Sequence, residues 1–204
     1  MITIINYGSG NIRAIGNIYE RLKIPYKIAE HPDEVKGAEK IILPGVGAFD
    51  ETVYMLDKSG FRSVLDHEVL VNKVPVLGIC VGMQILAKKS EEGELSGLGW
   101  INGEVKKIDK TLLLQSPKLP HLGWNSIERT KNSTLFNGID DEDGFYFLHS
   151  YYFECEDDQD ILSKTFYGKS FASAVNANNI FGVQFHPEKS HNNGVQLLQN
   201  FAKL

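Results

Sequence analysis

Apolar runs alternate with amphipathic stretches through the first ninety residues. Residues 1–6 form an apolar run of strand type, closed by the turn-forming string Tyr7-Gly8-Ser9-Gly10-Asn11. Ile12, Ile15, Ile18, Tyr19 and Leu22 then fall on one helical face, which stops before Pro25. Short strands are predicted over 26–28 and 40–43, the second closed by Pro44-Gly45-Val46-Gly47. Amphipathic helices are predicted over about 50–56 and 61–71. A strand running into Cys80 and a helix over 83–89 complete this half.

From Gly97 the texture changes to short strand candidates separated by turn residues: 100–101, 104–108, 126–129, 144–149, 153–156, 163–166, 171–175 and 180–185. Val195, Leu197, Leu198 and Phe201 return to helical spacing and predict a closing helix over 194–201. The pattern implies an α/β fold: a mostly parallel central sheet flanked by helices, with an added antiparallel sheet in the C-terminal half. No repeat, low-complexity stretch or linker divides the chain, so one domain over 1–204 is expected. In parallel sheets ligands sit beyond the carboxyl ends of the strands. The Gly-rich turns 8–10, 45–47 and 78–82 all belong there, which predicts that they meet at one cleft.

Composition narrows the field without naming a chemistry. The chain has 204 residues, 42% hydrophobic and 23% charged, ordinary values for a globular protein. A formal charge of −5 with no basic block gives no footprint for nucleic acid. No apolar run is long enough to span a bilayer, and no signal peptide opens the chain. Cys80 and Cys155 stand in unlike settings and do not suggest a disulfide, so a cytoplasmic location is expected. The scattered cysteines and histidines lack metal-ligand spacing, and neither a metal nor another cofactor is expected. His31, His67 and His191 read as surface residues, and Cys155 as structural.

The chemistry concentrates at two places. Gly78-Ile79-Cys80-Val81-Gly82 joins a strand to a helix as Gly-x-Cys-x-Gly, the form of a nucleophile elbow. The flanking glycines allow a tight turn that exposes the sulfur, and a following helix would direct its positive end there. An inert buried thiol fits the same string. The second place is Phe185-His186-Pro187-Glu188, where a strand delivers His186, Pro187 stops it and Glu188 turns back toward the imidazole. Together they make a nucleophile, a base and an orienting carboxylate. Taken alone, the second string reads better as a strand-ending turn with a surface His and a solvated Glu. Backbone N–H groups at Gly45, Val46 and Gly47, with that of Val81, are the candidate oxyanion donors.

Gly78-Ile79-Cys80-Val81-Gly82-Met83-Gln84 with Phe185-His186-Pro187-Glu188 resembles the class I, triad-type glutamine amidotransferases. Tyr7-Gly8-Ser9-Gly10-Asn11, Pro44–Phe49, Pro120-His121-Leu122-Gly123-Trp124-Asn125, Phe145–Tyr151 and Gln184–Ser190 are similar to the glutaminase subunits of imidazole glycerol phosphate synthases. The resemblance covers the whole chain. It implies that Cys80 forms a thioester with glutamine, with His186 as base and Glu188 as orienting acid. Gln84 and the backbone near Ser150 and Tyr151 would grip the amino-acid end of the substrate. Asn11, His121, Trp124, Tyr146 and Lys189 match positions on or near the side that faces a partner, though Trp124 and Tyr146 also suit core aromatics and Asn11 a helix cap. The implied partner is the cyclase subunit of a heterodimer. It takes the ammonia and makes imidazole glycerol phosphate and aminoimidazole carboxamide ribonucleotide in histidine biosynthesis. Hydrolysis would stay low until the cyclase binds its ligand and the 44–47 segment shifts to complete the oxyanion hole.

Three positions depart from the family pattern: Asn6 replaces the usual Asp before Tyr-Gly, Asp50-Glu51 the usual Gly-Asp, and Val81 the usual Leu. They leave open the paralogous glutaminases that feed a sugar amidotransferase in surface-polysaccharide synthesis. A non-catalytic partner-binding module is the third reading, opposed by the intact Cys80, His186 and Glu188.

Overall fold

A computed structural model describes residues 1–114 and 118–204. The elements run β1 (Ile2–Ile5), α1 (Ile12–Arg21), β2 (Tyr26–Ala29), β3 (Lys40–Gly45), α2 (Phe49–Lys58), α3 (Phe61–Asp66), β4 (Val76–Cys80), α4 (Val81–Gln84) and β5 (Lys89–Ser90). They continue with β6 (Gly103–Lys107), β7 (His121–Asn125), β8 (Glu128–Arg129), β9 (Phe145–His149), β10 (Tyr151–Cys155), β11 (Ile161–Tyr167), β12 (Lys169–Ala177), β13 (Ile180–Val183) and α5 (His191–Lys203). No helix among the described residues is long and apolar enough to cross a membrane.

The main sheet has the order β2-β1-β3-β4-β13-β12-β10-β6-β5, with β11 and β8 branching from β12. Strands β2, β1, β3, β4 and β13 are mutually parallel, and β12 and β10 then follow antiparallel. The C-terminal strands thus extend the same sheet instead of forming a second layer, because β13 docks in parallel on β4. Only β7 and β9 stand apart, as an antiparallel ribbon. Its inward residues Phe145 and Phe147 are fully buried against Phe185, while Leu122, Trp124 and Leu148 face outward. The inner parallel strands β1, β3, β4 and β13 are mostly apolar and buried, as burial on both faces requires, while the edge strand β2 is half-buried and carries Lys27. Across the helical layer, the Tyr19 hydroxyl of α1 donates to the Leu198 carbonyl of α5 at 3.1 Å.

Two expected helices differ. The 61–71 helix is α-helical only to Asp66 and continues as a π-turn over His67–Val71. The 83–89 helix is the single turn α4 instead. Its would-be i→i+4 carbonyls are occupied by a returning loop: Leu98 N–H donates to Ile85, Gly99 to Ala87, Gly97 to Lys88 and Ile101 to Leu86. That loop replaces the strand expected at 100–101. β7 is the one site-forming strand that the apolar pattern did not reveal, since its polar His121 and Asn125 face inward and its apolar Leu122 faces out.

The contact between β3 and the turn after β4 has no room for side chains. A Cβ on Gly82 would overlap the Leu43 carbonyl oxygen, and one on Gly45 the Gly82 amide. Gly82→Ala is therefore expected to cost about 3 kcal/mol or more, a size reserved for severe steric or core defects. Thermal denaturation followed by circular dichroism measures it; an unchanged midpoint would show that the strands can part freely.

Candidate active site

The β4–α4 turn places Cys80 at φ +55°, ψ −114°, left-handed backbone that a non-glycine residue adopts only under strain. Cys80 is 4% exposed and lines a cleft of about 490 Å³. Val46, Gly47, Val81, Gln84, Glu92, Ser150, Tyr151, His186 and Lys189 line the same cleft. α4 spans one turn, so its dipole acts on the sulfur far less than that of the longer helix expected from sequence.

His186 follows β13, the strand paired with β4, so the sheet register sets its ring beside the elbow. It is 3% exposed and lines the cleft beside Cys80, and its Nδ1 lies 2.9 Å from Glu188 Oε1. The peptide of His186 is clamped on both sides. Its N–H donates to the Tyr146 carbonyl at 2.9 Å, and the Ser190 hydroxyl donates to its carbonyl at 2.6 Å. Ser190 Oγ also accepts from the Tyr146 N–H at 3.0 Å, so the ribbon strand β9 and the catalytic turn are tied through one hydroxyl. Burial alone would lower the imidazole pKa. The contacts with Cys80 and Glu188 outweigh it and push the value up to about 10. The other Glu188 oxygen, Oε2, is buried without a hydrogen-bond partner.

The 44–47 segment is held by the first Gly-rich turn. The Tyr7 hydroxyl donates to the Pro44 carbonyl, and Ser9 Oγ both accepts from the Val46 N–H and donates to the Val46 carbonyl, each at 2.9 Å. The Val46 N–H is thereby occupied by Ser9. Gly47 has φ +101°, and Val46 is 44% exposed at the cleft rim. The three Gly-rich turns do meet, with Gly8–Gly10 supporting the cleft wall from behind.

Gln84 is buried, with its Nε2 donating to the Tyr151 carbonyl at 3.1 Å and to Gln184 Oε1 at 3.0 Å. Ser150 and Tyr151 line the cleft at the ribbon's end. Trp124 is 48% exposed and meets Tyr146 edge-on at 6.4 Å between ring centres, which rules out the core reading for Trp124. Lys189 Nζ sits 5.7 Å above the Tyr146 ring. Asn11 is exposed at the N-cap position of α1, as the cap reading has it, where its carbonyl accepts from the Ile15 N–H at 3.2 Å and its side chain makes no capping bond. His121 departs from its expected place. Alternation along β7 turns its ring inward, where it is 3% exposed, stacked on Phe147 and Tyr167 and hydrogen-bonded to His149 at 3.0 Å.

Four residues near the cleft were not singled out from sequence: Ser9 as a latch, Glu92, His149 and Gln184. Glu92 Oε2 accepts from the Phe49 N–H at 2.8 Å, at the start of α2, which fixes a carboxylate in the cleft wall. Its place in an acidic run, Glu91-Glu92-Gly93-Glu94, gave no sign of this. Cys155, by contrast, has a thiol that burial and the acidic groups of Asp160 and Asp158 push up to about 12. It is chemically quiet, as expected of a structural residue.

The family model "Glutamine amidotransferase class-I" matches residues 3–204. Two proteins named imidazole glycerol phosphate synthase subunit HisH, from Leptospira borgpetersenii and Bdellovibrio bacteriovorus, are each 50% identical over 204 residues, covering all of both chains. Among solved structures, a chain of PurLQS from Thermotoga maritima superposes with a TM-score of 0.72 at 19% identity, over 99% of this chain and 97% of that one. That likeness speaks for the fold alone, whereas the full-length family match and the 50% identities speak for descent. This chain belongs to the class I glutamine amidotransferase family.

Proposed function

We propose that this chain is the glutaminase subunit of an imidazole glycerol phosphate synthase, acting in the cytoplasm through a single amidotransferase domain over residues 1–204. The observation that carries the reading is Cys80 in its strained elbow, beside an imidazole that Glu188 holds, at the floor of a cleft sized for a small polar substrate.

The sulfur attacks the γ-carboxamide carbon of glutamine, and the carbonyl oxygen becomes an oxyanion. The Val81 N–H, next after the nucleophile, and an N–H of the Val46–Gly47 segment receive it. Collapse breaks the C–N bond, and the His186 imidazolium gives its proton to the leaving nitrogen, releasing ammonia. The now neutral His186 takes a proton from water as the water oxygen attacks the thioester carbon. Expulsion of the sulfur releases glutamate, and that proton restores the imidazolium. Glutamine and water thus become glutamate and ammonia. Glu188 keeps Nδ1 protonated throughout. The fixed carboxylate of Glu92 suits the substrate's ammonium, and the backbone at Ser150 and Tyr151 suits its carboxylate.

The outer face of the β7–β9 ribbon, with Leu122, Trp124 and Leu148 beside Tyr146 and Lys189, is the docking face for the cyclase subunit that consumes the ammonia. Asn11 would flank it. The ribbon adjoins the base through Ser190, so docking and catalysis share a wall. The Ser9 latch withholds the Val46 N–H, and its release on docking would complete the oxyanion hole.

The deciding experiment is glutamate release by this chain mixed with the cyclase, with and without the cyclase's nucleotide ligand, beside an ammonium-driven control. Ligand-dependent stimulation supports the assignment. A flat response beside a working control moves the partner to a sugar amidotransferase, and no thioester at Cys80 with a glutamine-analogue electrophile moves the chain to a binding module. Cys80→Ala should abolish glutamine-dependent synthesis and spare ammonium-driven synthesis; loss of both would make the residue structural. Ser9→Ala should raise basal, partner-free hydrolysis about fivefold, the worth of one hydrogen bond; an equal or lower rate removes the latch. Glu188→Gln and Cys80→Ala each delete a contact that raises the His186 pKa. In both, the ring's titration by nitrogen-15 NMR should fall from about 10 toward or below the ordinary imidazole range. A midpoint left in place would remove that contact from the set.

A further inference from the structure

Gln184 lies two residues before His186 and is fully buried. A carboxamide in such a place must find partners for both ends, and which end faces which neighbour is set by the network around it. Here the network leaves no freedom. The Tyr151 carbonyl can only accept. It receives a bond from Gln84 at 3.1 Å, so that end of Gln84 is its NH2 group. The same NH2 reaches Gln184 at 3.0 Å and requires an acceptor there, so Gln184 presents its oxygen. The Gln184 nitrogen is then aimed at Cys80 Sγ, 3.8 Å away. Reversing Gln184 would set donor against donor at Gln84 and an oxygen against the sulfur.

A second branch locks the same carbonyl from the other side. His149 Nδ1 lies 2.7 Å from the Tyr151 oxygen and must be its protonated nitrogen. His149 Nε2 therefore accepts from His121 Nδ1 at 3.0 Å, and His121 Nε2 accepts from Asn125 Nδ2 at 3.2 Å. Burial lowers the pKa of His121 to about 4 and that of His149 to about 3, so both rings stay neutral at physiological pH and the polarity holds.

We propose that Gln184 is a further catalytic residue, whose side-chain N–H donates to the Cys80 sulfur and favours its thiolate over its thiol. The proposal rests on the reading of Cys80 as nucleophile. An N–H bond to an anion is stronger than one to a neutral acceptor, so this contact strengthens as the proton leaves. The Leu148 carbonyl, 4.0 Å from Sγ, has the opposite bias, because it can accept only from the thiol. The other titratable groups near the sulfur are His186, with Glu188 behind it and His149 nearby, and Tyr7, while Glu92 and Lys189 line the same cleft. Gln184 is the one of these neighbours whose donor carries no charge and cannot titrate.

The test is the pH profile of Cys80 alkylation by iodoacetamide in the full chain, read by peptide mass spectrometry with Cys155 as internal reference. In the wild type Cys80 should react far faster than Cys155 at pH 7. Gln184→Met, of similar length without the donor, should slow Cys80 about tenfold at pH 7 and move its profile to higher pH, with Cys155 unaffected. Gln184→Glu should shift it at least as far. Folded variants whose profiles overlay the wild type overturn the proposal. A wild-type Cys80 no faster than Cys155 overturns the nucleophile reading as well, a distinguishable result. If the variants do not fold, the wild-type side-chain amide resonances of Gln184 decide. They should titrate with the same midpoint as alkylation and lose that titration in Cys80→Ala; resonances that ignore pH overturn the proposal.

Discussion

The turn that carries Cys80 lies against strand β3 with nothing but backbone between them. Gly45 and Gly82 are crowded by main-chain atoms across this contact, and Gly78 by those of Gly82 and Met83 within the turn itself. Because the strands touch so closely, the segment at the end of β3 proposed to receive the oxyanion and the proposed nucleophile at the end of β4 meet at one corner. β13 then pairs with β4 on the other side and brings His186 to the same corner. Three strand ends in register thus place the reacting groups without any long side chain having to reach.

Around this corner the protein uses buried polar groups in two different ways. His186 is stabilised as a cation, because a carboxylate and the sulfur overcome the burial that would discharge it. His121 and His149 are buried with no carboxylate partner and stay neutral, each ring fixed in one tautomer by the next acceptor along. The first supplies protons and the second holds directions. The difference comes from the neighbours alone, since all three rings are almost fully buried.

The triad was legible because each member sits in a short string whose local geometry is forced: glycines around Cys80, a proline after His186. The parallel strands were legible for a similar reason, since burial on both faces leaves an unbroken apolar run. What could not be read was set by distant contacts. The chain leaves α4 after one turn, and the carbonyls of residues 85–88 beyond it are taken by residues 97–101. Strand β7 buries its polar face and exposes its apolar one, the reverse of the pattern that betrays a strand. His121, which the resemblance placed on or near a partner-facing side, turns inward for that reason. Ser9, Glu92 and Gln184 gained their places through partners 37, 43 and 104 positions away in the chain, beyond any local motif.

The left-handed backbone at Cys80 has a consequence for how such a protein can change. A residue with a side chain is held there at a cost of order 1–3 kcal/mol, and glycine would rest there without it. Selection for stability alone would favour erasing the nucleophile. A copy of this chain freed from such a reaction would gain stability by losing the cysteine, so the bend sets stability against the thiol at a single position.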